Sequence, residues 1–179
     1  ILAKDPSDVN SLKQIAGIYF NIKELDQAKE WQKKVLAVDP KDPEAAYTIG
    51  VIDWTQAHEN KLKLLVPAGL NDDGEGNVKA PKKLMDQLKE QNSALVEEAL
   101  QYLNQAIANR PNYDDAMQYM NLIYRNKADM DFGNAQAVTA DIATAKDWAS
   151  KAMGARKANE AKKDKGPGGI TMDSSGNLK

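Results

Sequence analysis

The chain has 179 residues, 42% hydrophobic and 28% charged, with a formal net charge of -2. That composition suits a globular domain or a short repeat array, and the absence of cysteine excludes disulfides, zinc thiolates and cysteine nucleophiles. An acidic body argues against nucleic-acid binding, which rests on neutralising phosphates. No apolar run approaches the roughly 20 residues of a membrane span.

In chain order, "ILAKDP" (1–6) reads as the end of a preceding, truncated repeat, so a targeting segment ahead of it stays open. Compartment is left between cytoplasm and a bacterial periplasm. A helix with the stripe Leu12, Ile15, Ala16, Tyr19 follows, then a second over "AKEWQKKV" (28–35). Asp42 is placed to cap the next helix and Pro43 to open it. That helix carries Ala46, Ile49, Gly50 and Asp53 and continues through "QAHENKLKLL". After "GLNDDGEGNVKAP" (69–81), a long helix runs through Leu84, Leu88 and Leu95 to "ALQYLNQA" (99–106), with Gln91 and Asn92 its one polar interruption. A fifth helix carries Met117, Met120, Asn121 and Tyr124, and "DFGN" reads as a turn. The sixth passes "AKDWASKA" (145–152) to about Lys165, where "GPGG" stops it. Residues 151–165 hold six basic and two acidic side chains, suited to a solvated helix end.

The three quoted eight-residue stretches echo one another. Each has Ala, an aromatic three residues on (Trp31, Tyr102, Trp148), and a small apolar residue four further (Val35, Ala106, Ala152). These offsets share one helix face. Two repeats close on proline, at Pro40 and Pro111, as does the opening fragment at Pro6. The pattern resembles the tetratricopeptide repeat family, a 34-residue pair of antiparallel helices. Leu12, Ile15, Ala16, Tyr19, Ala28 and Pro40 stand in the family's places in repeat one, with Gln32 for the usual aromatic. Repeat two supplies Ile49, Gly50, Ala99, Leu103 and Pro111, with Asp53 in place of Tyr; repeat three keeps Tyr124 and Ala145. The resemblance implies an all-α, α-α superhelix: a solenoid of about three helix-turn-helix repeats. They are set at 9–40, 43–111 with a tip loop at about 66–81, and 114–165, before a Gly/Pro-rich tail at 166–179.

Repeat two is over-long. Gly50 to Ala99 spans 49 residues where Ala16 to Ala28 needs 12. Extending both helices would project the hairpin roughly 14–18 Å beyond its neighbours, zipped by Leu62, Leu65, Leu84 and Leu88, with the glycine loop as a solvated tip. Counted as a calcium loop from Asn71, that segment has oxygens at Asn71, Asp73, Glu75 and Asn77 and glycine sixth, but Lys82 replaces the bidentate Glu. Turn chemistry is the better reading, and no cofactor or metal is expected. His58, the sole histidine, reads as a surface residue, and the acid pairs Glu97/Glu98 and Asp114/Asp115 as solvated.

By the same resemblance, the first helix of each pair lines a concave groove that binds peptides. The groove positions are Lys13, Phe20, Tyr47, Val51, Trp54, Gln118, Leu122 and Arg125. Large aromatics there are natural anchors, and Arg125 suits a carboxylate. Repeats that clamp a C-terminal carboxylate use Lys and Asn at set places. Lys13 fits, but Gly17, Thr48 and Asp115 do not. The expectation is a non-enzymatic scaffold for a protein or peptide ligand of unknown identity. The alternative is self-association through the hairpin or tail; a calcium-regulated or enzymatic domain comes third.

Overall fold

In the computed structural model, which describes residues 7–164, six α-helices follow one another in antiparallel pairs. They are α1 (Val9–Asn21), α2 (Leu25–Val38), α3 (Pro43–Leu65), α4 (Lys82–Asn109), α5 (Asp114–Met130) and α6 (Ala135–Asp164). A 3-10 turn, Val66–Ala68, closes α3. The opening fragment and the tail lie outside the described residues.

Local chemistry explains where helices begin. Asp8 accepts from the Ser11 amide at 3.0 Å and caps α1. Asp42 accepts from the amides of Glu44 and Ala45 at 3.0 and 2.8 Å, with Pro43 opening α3. Proline lacks the amide that would otherwise need a partner there. Asp114 and Asp115 fill the first turn of α5, where carboxylates complement the helix dipole.

Packing follows the small-residue pattern. Ala16, Ala28, Ala46, Ala99 and Ala106 are fully buried, so neighbouring backbones approach closely. Gly50 is the extreme case: a Cβ there would lie 2.6 Å from Leu103 Cγ. The main core gathers Met85, Leu88, Val96, Leu103, Met120 and Ile123 between α3, α4 and α5. Trp31 packs beside a smaller cluster, Tyr102 beside the main core, and Trp148 borders both the main core and a third cluster. Burying each large apolar side chain contributes about 1.5–3 kcal/mol.

Polar groups inside this core join the helices. Lys29 of α2 reaches Asp53 of α3 at 2.6 Å and Glu98 of α4 at 2.9 Å, and Lys33 adds a 2.8 Å pair to Glu98. Glu98 is therefore a structural ion-pair partner rather than a solvated acid. Asn92, buried in α4, donates to the Ala57 carbonyl at 2.8 Å and accepts from Asn60 at 2.9 Å. The polar interruption of α4 thus bonds the hairpin's two helices. Leu65 and Leu88 are buried in the extension, but Leu62 is 37% exposed and takes little part in the zip.

The hairpin tip departs from expectation. The extension is flanked by α5, and the loop folds onto α5 and α6 instead of standing free in solvent. Lys61, 2% exposed, lies 2.7 Å from Asp72, 3.0 Å from Asp129 and 2.9 Å from the Asn126 side-chain oxygen. Asn77 donates to Asp129 at 2.8 Å and to Asp72 at 3.0 Å. Arg125 donates to the Gly74 carbonyl at 2.7 Å. Gly76 lies so close to α6 that a Cβ would stand 2.7 Å from Val138 Cγ1. The loop is a strap from α3 across α5 to α6. Within the loop, Asp73 accepts from the amides of Glu75 and Asn77 at 2.7 and 2.9 Å, while Asp72 pairs with the Lys61 ammonium. The physical reason is desolvation: a lysine and an aspartate buried together need each other and their amide neighbours.

Candidate functional site

The first helices α1, α3 and α5 carry the groove positions. Phe20, Tyr47 and Val51 come together with Gly17, Asn21, Gln32, Thr48 and Tyr119 around one cleft of about 420 Å³. Helical spacing places Gly17 and Phe20 one turn apart on α1, and Tyr47 and Val51 one turn apart on α3.

An aromatic row runs along this surface. Tyr47 contacts Tyr113 with centroids 4.9 Å apart and meets Tyr119 edge-on at 5.7 Å. Tyr119 meets Trp54 edge-on at 5.3 Å, and Trp54 stacks on His58 at 5.1 Å with the rings 8° from parallel. Tilted and edge-to-face pairs of this kind add about 0.5–1.5 kcal/mol each beyond area burial. The row is therefore a stiff surface, and its members enter an interface with little entropy left to lose.

The electrostatics are equally defined. Burial raises the pKa values of Tyr47 and Tyr119, and the charge of Asp115 adds to both. Burial likewise pushes Tyr113 up to about 12, against the opposing Arg110 charge. All three phenols stay neutral donors at ordinary pH. The cations expected in the groove are otherwise occupied. Lys13 pairs with Asp42 and, at 3.4 Å, with Glu44. Arg125 holds Gly74, lies 3.4 Å from Glu75 and reaches Asn121 at 3.2 Å. Gln118 and Leu122 are half-buried on α5 and do not line the cleft.

Tyr119, Tyr113, Gln32 and the stacked His58 were not among the groove positions read from sequence. Tyr119 had a usable signal, since it aligns with Thr48, itself a recognised groove place. No three His, Cys, Asp or Glu side chains converge to hold a metal ion among the described residues. What the surface offers chemically is aromatic contact, tyrosine donors and an amide.

Residues 11–42 match the family model described as tetratricopeptide repeat. No curated protein matches the chain. Among solved structures, one titled "Crystal structure of MamA" is similar at 21% identity, covering 90% of this chain and 85% of that one with a TM-score of 0.30. The tetratricopeptide-repeat match thus lies over α1 and α2, and two further antiparallel helix pairs follow it.

Proposed function

We propose that the chain is a non-enzymatic interaction scaffold whose concave groove receives a segment of a partner protein. Phe20, Tyr47, Val51 and Trp54 are its contact residues, joined by Tyr119. The division into repeats at 9–40, 43–111 and 114–165 belongs to the same reading. The observation that carries it is the aromatic row bordering an open cleft on the first-helix side. Rigid aromatics beside a concavity are what protein interfaces use as anchors. Lys13 and Arg125 act here as structural ion-pair and strap-holding residues at the groove's edges, with Gln118 and Leu122 as half-buried neighbours.

The test is affinity capture from the source lysate with wild type, Phe20→Ala and Trp54→Ala, each checked for helicity. Partner proteins held by wild type and lost by both variants support the groove. Equal capture by all three overturns it. The alternative, self-association through the hairpin or the tail, would appear as a concentration-dependent mass in sedimentation. Among the described residues no helix is long and apolar enough to cross a membrane.

A further inference from the structure

Gly17 sits inside α1, away from either end. Glycine is the poorest helix former after proline, and a glycine in such a place usually answers to close packing. Here it does not: a Cβ at Gly17 would meet nothing within 4 Å. The space is the cleft that Gly17 itself lines. The missing side chain keeps that cleft open.

Gln32 of α2 lines the same cleft. It is 8% exposed, and its Oε1 has no hydrogen-bond partner. A buried amide oxygen left unpaired is costly, and the residue that carries this one lines the cleft. It therefore calls for a donor arriving from outside the fold. The remaining wall is aromatic, from Phe20, Tyr47 and Tyr119.

Charge decides what kind of donor. Lys13 is held by Asp42 and Glu44, Arg110 by Glu44 at 3.1 Å above the Tyr113 ring, and Arg125 by the strap. Each of these three cations is therefore already paired within the fold. Asp115, in contrast, is exposed and touched by Arg156 only at 3.4 Å, and its charge is felt at Tyr47 and Tyr119. Aromatic faces in a negative field attract cations.

Resting on the groove reading above, we propose that the Gly17–Gln32 cleft is an anchor pocket for a basic side chain of the partner segment. Its N–H group donates to Gln32 Oε1 and its charge lies against Phe20, Tyr47 and Tyr119. Arginine fits better than lysine, because a planar guanidinium stacks on rings while its fork of donors reaches an acceptor.

The test titrates the isotope-labelled protein with N-acetyl-arginine amide, N-acetyl-lysine amide and the neutral N-acetyl-citrulline amide, followed by NMR. The expected result is saturable shifts at the Gly17 amide, the Gln32 side-chain amide and the Trp54 indole. Arginine should bind roughly ten times more tightly than citrulline. Gly17→Leu and Gln32→Leu should each abolish the shifts. Gly17→Leu should also keep or raise the melting temperature, so its effect is not unfolding. Citrulline binding as tightly as arginine overturns the charge argument. Arginine binding that survives both substitutions, or no shift with any probe, overturns the pocket. Capture from lysate separates the two readings: if Gly17→Leu keeps the partner and Trp54→Ala loses it, the groove stands and the pocket falls. If the arginine probe binds while Trp54→Ala keeps the partner and Gly17→Leu loses it, the pocket stands without the Trp54 part of the groove.

Discussion

Lys61 of α3 and Asp129 of α5 are both almost wholly buried, with the ammonium 3.0 Å from the carboxylate. Burial pushes the Asp129 carboxyl above its ordinary range, held back by the charge of Lys61 and the amide of Asn77. Asp72 behaves oppositely: burial again raises it, but Lys61 outweighs burial and holds it below the usual range. One ammonium thus ties the strap to α5.

Removing that ammonium leaves two carboxylates without it, one of them fully desolvated. Lys61→Met should therefore cost about 3–5 kcal/mol, the usual range for orphaning a buried charge. Urea denaturation measures it. Adding Asp129→Leu to Lys61→Met should recover part of the loss, because an apolar pair can replace a buried ion pair. A single variant as stable as wild type would show that the strap contributes nothing.

The strap can also be lifted without touching a charge. Gly76 has φ +92° and faces Val138 and the Ala128 carbonyl. Gly76→Val forces a β-branched side chain into a left-handed backbone and into α6. The expected cost is about 1–3 kcal/mol. Hydrogen exchange should show lost protection at residues 72–77 while α1 and α2 keep theirs.

Much of this architecture was legible locally and some of it was not. The Ala/aromatic echo marked α2, α4 and α6 because Val35, Ala106 and Ala152 bury and the ring beside each packs. The caps were legible because Asp42 and Pro43 act within one turn. The strap was not, because its bonds join residues far apart in sequence: Asn77 and Asp129 are separated by 52 positions. Turn-forming residues read the same whether the turn is solvated or docked. Lys61 and Lys63 look alike in "NKLKLL", yet their side chains are 2% and 73% exposed. For the site, repeat equivalence under the family resemblance named Phe20, Tyr47 and Val51, which line one cleft. It passed over Tyr119 because the alignment favoured Gln118, one residue earlier, and over Gln32 because its departure from the family aromatic gave no hint of an unpaired oxygen.

Asp42 combines two duties that substitution can separate. It caps α3 and pairs with Lys13 across to α1. Burial would raise its pKa, but Lys13 and the two amides hold it below the ordinary value. A depressed carboxylate gives stability that is present above its unfolded pKa and lost as pH falls through the folded one. Asp42→Ala should cost about 1–2 kcal/mol at neutral pH. Asp42→Asn should cost less, since it keeps a capping oxygen. Relative to wild type, both losses should shrink on acidification below about pH 4, as seen by chemical denaturation at a series of pH values.

Asp53 should give the opposite slope. It stands fully buried in α3 with Lys29 of α2 at 2.6 Å, while Glu98 of α4 competes for the same ammonium and Lys33 sits on the far side of Glu98. One carboxylate oxygen, Oδ2, is buried without a partner. Burial pushes the Asp53 carboxyl up to about 7, against the pull of Lys29. Between the ordinary carboxylate value of 3.8 and about 7, the folded chain therefore holds a proton that the unfolded chain has released. Stability from this group is full at the acid end, falls as pH rises through that window, and levels off above it. Asp53→Asn keeps the shape, removes the titration and leaves Lys29 paired with Glu98. The stability difference, wild type minus Asp53→Asn, should fall with rising pH by on the order of 2–4 kcal/mol across the window. A difference that stays flat from pH 4 to pH 7, or that rises, would show that Lys29 rather than burial governs this carboxylate.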